Sequence, residues 1–448
     1  MIVNYSQRIR ILITLLLFVI TSTPIDTPAL ATLSNDAKSP SPQHVNIDAH
    51  WGGHLKVRGS ASWPPGDSFF GSEGTETLYD GHTEARVSNR LFFGDWGSLD
   101  THYEIILSGG DTRRRIKSLE KLYPALFADG LATGNTVEDD RRLMDLTRAI
   151  DEDEGHVTYH RLDRLALGLF PDWGMVQVGR QAVTWGNGLL FNPMDLFNPF
   201  SPTDIERDYK VGDDMVSTQF SAQGMGEFQF LYVPRRNPIS GNIEWEQSSL
   251  AGKLHLFWDT IEFDIMAAEH YRDAVLGLGG AGYVGDAAWR LDGTWISSDS
   301  DDGYVSMVAN MDYSWVWLDK NFYGFVEFFF NGLSHNRYSD FYADSELGSR
   351  IERGELYTLG RTYLSGHLRV ELHPLFNVYI TVIENLADTS GAIQPRAVWD
   401  IAEDMQITLG GALYHGQRDT EYGGVTIPGT RFIDRPLGTA FLWISYFF

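Results

Sequence analysis

The chain reads as an all-β protein, a transmembrane antiparallel β-barrel of about 18 strands, with 16 as the alternative count. Three observations predict this. Segments of about ten residues alternate apolar with small or polar side chains along most of the 448 residues. Charged residues occupy the polar face of nearly every segment, which suits a wet lumen. No stretch reaches the roughly 18 uninterrupted apolar residues of a spanning helix. Lipid leaves free backbone polar groups unpaired, so a chain with these segments crosses it as a closed sheet.

The front of the chain is a separate element. Arg8 and Arg10 precede the apolar run Ile11–Ile20, Pro24 follows, and Ala29–Leu30–Ala31 offers a small-residue cleavage site. This is the pattern of a secretory signal peptide over 1–31. Residues 32–50 then form a short periplasmic segment, and 51–448 form the barrel. The chain lacks cysteine, which excludes disulfides, thiolate metal sites and a cysteine nucleophile. Its 60 acidic against 35 basic residues give a charge of −25 and exclude a nucleic-acid partner. Aromatic residues make up 13%, enough for girdles at both membrane interfaces.

Alternation predicts strands at 52–60, 83–93, 98–108, 157–169, 174–182, 214–223, 226–233, 249–258, 261–269, 286–296, 303–315, 321–330, 354–363, 366–373, 376–384, 396–402, 406–414 and 438–448. In 250–258, for example, Leu250, Leu254, Leu256 and Trp258 face outward, against Lys253 and His255. The inward sets place Arg86, Arg90, Arg290, Arg361, Arg369 and Glu371 in the lumen. They also place Glu84, Glu104, Asp264, Asp292 and Glu327 there. Short turns such as 94–97, 170–174 and 259–260 mark the periplasmic end, and the long connections 61–82, 109–156, 183–213 and 415–437 the external one. In this count 331–353 is a long periplasmic loop; a slip of the strand count at this point is the alternative. The acidic stretch Asp139, Asp140 and Asp151–Glu154 lacks the spacing of a calcium loop and reads as a solvated external loop. The last strand ends on Phe448, the residue expected to act as the assembly signal.

The densest segment runs from Gly179 to Pro202. It is too rich in Gly, Pro and Asn for a strand or helix interior. Trp185, Gly186, Asn192, Pro193, Asn198 and Pro199 give it a compact architecture, and its aromatics would be costly to leave in water. It therefore folds into the barrel mouth. There Arg180, Asp195, Asp204, Arg207, Lys210, Asp213 and Asp214 are candidates for a mixed-charge constriction that screens solutes. A loop that braces the rim, its charges neutralising one another, is the alternative.

The run GRQAVTWGNGLLFNPMDLFNPF at 179–200, RLDRLALGLF at 161–170 and the terminal FLWISYFF resemble the porin-like outer-membrane barrels related to alginate-export channels. The resemblance implies an 18-stranded barrel, a channel activity and a periplasmic loop near the lumen. Its lumen would be expected to be arginine-rich; the mixture of acids and arginines here speaks against alginate itself as the solute.

The expected function is an outer-membrane porin or channel of a Gram-negative bacterium. It would let a small or oligomeric polar solute diffuse or be exported. A structural or surface-binding barrel that anchors an extracellular complex is the alternative. No G-x-S-x-G or H-E-x-x-H motif is present, and the 13 histidines are scattered, so no enzyme, cofactor or metal is expected. The expected partners are outer-membrane lipid and lipopolysaccharide, the barrel assembly machinery and the solute.

Overall fold

The computed structural model describes residues 47–128, 139–197, 199, 201–202, 209–222, 226–298, 301–334, 338 and 345–448. The signal peptide, nearly all of the segment 32–50, and the candidate residues Asn198, Asp204 and Arg207 lie outside them.

Eighteen antiparallel strands close into one ring. They are β1 (Ile47–Trp63), β2 (Leu78–Phe93), β3 (Gly97–Gly110), β4 (His156–Leu169), β5 (Met175–Gln181), β6 (Asp213–Ala222), β7 (Gly226–Val233), β8 (Ser249–Trp258) and β9 (Ile261–His270). The ring continues with β10 (Asp273–Val284), β11 (Ala287–Ser298), β12 (Asp301–Trp317), β13 (Lys320–Asn331), β14 (Thr362–His373), β15 (Phe376–Asn385), β16 (Ser390–Ala402), β17 (Met405–His415) and β18 (Gly438–Phe447). Strand β18 pairs with β1 from His54↔Phe447 to Trp63↔Gly438, and closure removes the edges. A further short strand, Thr147–Glu152, pairs with the first half of β4.

All turns after even-numbered strands are short, and the long connections 64–77, 111–155, 182–212, 234–248, 332–361 and 416–437 lie at the other end. Two helices, α1 (Asp111–Leu122) and α2 (Pro124–Ala128), stand in the second of these, and α3 (Ser345–Glu352) in the fifth.

Two errors in the expected strand list cancel. Strand β10 was not anticipated, whereas 354–363 was expected to be a strand and is a strand only from Thr362. The total stays at 18, but the side of 331–353 inverts: it belongs to the long-loop end, not the short-turn end. The physical cause of the first error is the hairpin at Tyr271 (φ 51°) and Arg272 (φ 75°). Such a two-residue turn normally carries Asn or Gly, so nothing in the sequence signals it.

Glycines also disguise β10, and its two faces explain them. A Cβ on Gly282 would meet the Trp289 ring on the outside at 3.0 Å. One on Gly279 would meet Asp292 Oδ1 at 2.6 Å and Asn187 Nδ2 at 3.3 Å on the inside. The wall is kept thin where the lumenal loop presses against it.

Burial is inverted relative to a soluble protein. Leu250, Leu278 and Leu409 are 46, 66 and 57% exposed, while Glu104, Asp292 and Glu327 are fully buried. An apolar belt outside and charges inside is the arrangement a bilayer selects. Trp51, Trp96, Trp173, Trp258 and Trp317 cluster around the short-turn end as exposed aromatics. The hydrophobic core lies inside the ring. Trp185, Met194 and Phe197 of the loop pack on Met215, Leu231, Val233, Met266 and Val275 of the wall. Phe191 stacks on Phe329 with ring centroids 4.5 Å apart.

Candidate functional site

Strands β5 and β6 are among the shortest in the ring, and the chain between them turns into the lumen. Wall carboxylates hold this loop by its backbone. Asp292 accepts the Asn187 N–H and, at 2.9 Å, its side-chain amide. Glu327 accepts three successive N–H groups, from Leu189 at 2.7 Å, Leu190 at 3.0 Å and Phe191 at 2.7 Å. At the far end of the loop, Asp163 accepts the Gly212 N–H at 3.1 Å and Glu84 accepts the Tyr209 hydroxyl at 2.5 Å. An irregular stretch of backbone inside a barrel must find acceptors, and the inward acids supply them.

The loop's own architecture is local. Trp185 donates its indole N–H to Gln229 at 2.7 Å, and Asn192 donates to the Trp185 carbonyl at 2.8 Å. Gly186 has φ 86°, and a Cβ there would collide with Asn192 Oδ1. Pro193 lies in the turn at 193–194 just after Asn192, and the Pro199 carbonyl accepts the Tyr357 hydroxyl at 2.8 Å.

The described members of the expected constriction lie elsewhere. Arg180 and Asp214 are each 1% exposed. In the β5–β6 register they share parity with Val178 and Val216, whose exposed side chains mark the outward face. Alternation therefore points them away from the pore. Segment 139–147 covers them: Arg180 bonds Asp139 at 2.8 Å and Asp214 at 2.9 Å, and the Met144 N–H bonds Asp214 at 2.7 Å. Asp213, 3% exposed, pairs with Arg235 at 2.8 Å. Lys210 and Asp195 form a buried ion pair under the loop. Burial pushes the Asp195 carboxyl up to about 6 and the Lys210 amine down, so desolvation outweighs their attraction. These five residues brace the loop and the wall.

The acidic stretch is solvated, as expected, except at Asp139. Asp139 is 7% exposed between Arg180 and Arg142; Glu152 bonds Arg113 at 2.6 Å, and Glu154 bonds Lys121 at 2.5 Å. Both basic partners sit on α1, a helix not foreseen.

Above the loop, at the long-loop end, a chamber of about 1540 Å³ opens inside the wall. Lys56, Arg58, Glu84 and Arg161 line it from the strands, Lys117 and Arg148 from the loops, and Trp443 and Tyr159 add apolar faces. The two sides of the lumen differ. On β2–β4, Arg86 bonds Glu104 and Asp163, and its guanidinium lies 3.7 Å from the Tyr209 ring centre. Arg161 bonds Glu104 at 2.5 Å, and Arg90, half exposed, bonds Asp100 at 2.8 Å. On β14–β16, Arg369 sits over Tyr323 at 5.6 Å and Arg396 over Tyr379 at 4.7 Å. Neither has a carboxylate partner among the described residues.

Arg290 bonds Asp312 at 2.5 Å. Arg361 lies outside the strands and donates to the Ser334 and Gly332 carbonyls at the rim. Glu371 shares the parity of Arg369 on β14. Phe448 exchanges backbone bonds with Gly53 at 2.8 and 3.1 Å, which completes the β1–β18 seam. Sequence reasoning did not single out Arg396, which was only the first residue of its expected strand 396–402; the strand in fact begins at Ser390. It missed the anchoring role of Asp292 and Glu327 because alternation assigns a face, not a partner.

The fold and site define a class: closed 18-stranded antiparallel barrels with a lumenal loop and a charged mouth. Within it, the chain is similar in fold to OccAB3 of Acinetobacter baumannii, with TM-score 0.51 and 9% identity over 90% of this chain and 99% of that one. OccAB4 of the same organism gives 0.50 and 8% identity, over 91% of this chain and all of that one. No protein-family model matches the chain, and no curated protein does.

Proposed function

We propose that the protein is a passive outer-membrane channel for a polar solute. The observation that carries this reading is the charge-lined chamber inside a ring whose exposed face is apolar. The shared barrel fold supports the reading.

The lumen carries both signs of charge. Asp163, Asp292, Glu327 and Glu84 are engaged by the loop, and Glu104 by two arginines. Arg369 and Arg396 rest on aromatic faces, which hold a guanidinium without cancelling its charge. Glu371 and Asp400 share the lumenal faces of Arg369 and Arg396, so the path is mixed in charge although the whole chain carries −25. Kinship with alginate-export channels rests on residues 161–170, 179–200 and 441–448 alone, and we do not extend it to alginate as the solute.

Planar bilayers test both parts. Purified, folded protein is expected to give ohmic single-channel currents, with a reversal potential in a KCl gradient that reports the ion preference of the mixed lumen. R369A/R396A is expected to move that potential toward the cation side. Absence of any current from folded protein would leave the surface-anchoring barrel as the better reading.

A further inference from the structure

The lumenal loop is also gripped from the mouth. Phe191, stacked on Phe329, lies 5.3 Å from the Tyr363 ring, tilted at 34° to it. Tyr363 stands at the mouth end of β14 and is fully buried. Its ring packs on the loop, while its hydroxyl bonds both outer connections. That hydroxyl accepts the Gly360 N–H at 2.7 Å and donates to Glu421 Oε2 at 2.5 Å. Glu421 also accepts from Asn385 of β15 and from the Leu359 N–H, each at 2.8 Å, and its own N–H goes to Asp388 at 2.8 Å. The next residue, Tyr422, is buried in one cluster with Phe191 and Tyr363 and stacks on Tyr414. A single knot thus joins the connections 332–361 and 416–437 to the lumenal loop.

The knot is built to pass on displacement. Without Glu421 the buried Tyr363 O–H keeps no acceptor, and a stranded buried donor is costly. The ring must shift to find another, and its face is the support of Phe191. Close-packed side chains transmit such a shift instead of absorbing it. Phe191 is the third of the successive N–H donors held by Glu327, so the shift arrives at the loop's own clamp. Coupling between two sites requires an element that both of them bias, and Tyr363 is placed as that element.

We propose that Tyr363 is a coupling strut that makes the outer connection 416–437 a control element for the lumenal loop. Lifting Glu421 off the mouth then loosens the loop at Leu189–Phe191. The effect on conduction rests on the channel reading; the coupling does not.

Hydrogen–deuterium exchange, read by mass spectrometry on folded protein at one fixed pH in peptides covering 186–192, tests it. Y363F keeps the ring against Phe191 and removes only the hydroxyl. Exchange at Leu189–Phe191 is expected to rise about tenfold, the equivalent of about one hydrogen bond. E421Q should raise it too, and Y363F/E421Q should exceed neither single variant by much, because both cut the same link. T426A removes a bond to Asp419 within the same connection and should leave 186–192 as in the wild type. Unchanged exchange at Leu189–Phe191 in folded Y363F would overturn the proposal, as would single-variant effects that add, or an equal rise in T426A. Bilayer recording on the same samples separates the two readings. Exchange as expected, from protein that passes no current, would remove the channel and keep the strut.

Discussion

Glu327→Gln is the most telling perturbation, because one side chain carries four hydrogen bonds. Oε1 accepts from Leu190 and Phe191, and Oε2 from Leu189 and, at 3.1 Å, from Asn310. A glutamine keeps one oxygen, best left facing the two donors Leu190 and Phe191. Its NH₂ then faces the Leu189 N–H, donor against donor. A bond to a charged group contributes about 1.5–3 kcal/mol, so losing two costs about 3 kcal/mol at the lower bound. That multiplies the released population of the loop by about 100. Folded E327Q barrels are therefore expected to show excursions to a larger conductance that the wild type makes about a hundredfold less often. The assay is single-channel recording on protein whose barrel is verified by heat-modifiable gel mobility. Identical conductance and noise in folded E327Q would refute the claim that this carboxylate holds the loop.

The other predictions concern the wall, the mouth and the seam. Arg180→Ala leaves Asp214 buried without its cation, which costs about 3–5 kcal/mol. The gel-shift melting midpoint should fall clearly, whereas Arg90→Ala, at a half-exposed pair, should move it little. Glu421 fastens the connection 416–437 to the mouth through the Tyr363 hydroxyl at 2.5 Å, Asn385 at 2.8 Å and the Leu359 N–H at 2.8 Å. Burial above all, and Asp388 nearby, raise its carboxyl from 4.5 to about 7. The fastened state binds the proton more tightly, so its advantage is full below pH 4.5 and is lost as pH rises through about 7. Protease cleavage within 416–437 should therefore speed up from pH 6 to pH 8, and E421Q should flatten that dependence. Phe448→Asp should reduce the yield of folded barrel in the outer membrane far more than Phe448→Leu; equal yields would remove its role as an assembly signal.

Location of strands and faces was legible because alternation is a direct physical consequence of a two-sided wall. It failed where local chemistry masks a strand. Tyr271 and Arg272 turn the chain without a turn residue. Pro395 stands inside β16, where pairing to β17 skips from Ile393↔Leu413 to Arg396↔Gly410, so its missing N–H costs nothing. The loop at 179–202 was legible as a compact lumenal element from its Gly, Pro and aromatic content. The roles of its charges were not. Parity places Arg180 and Asp214 outward, and only the three-dimensional course of 139–147 reveals what covers them.

That covering segment changes what can be done to the protein. External loops ordinarily accept inserted tags and deletions, because little depends on them. Segment 139–152 instead fills the height that β5 and β6 leave vacant, fastened to β4, to Arg235 and Arg236, and to Arg180. An epitope placed there would breach the side of the barrel. The tip at Ile239, 95% exposed between Asn237 and Gly241, would carry the same epitope without consequence for the wall.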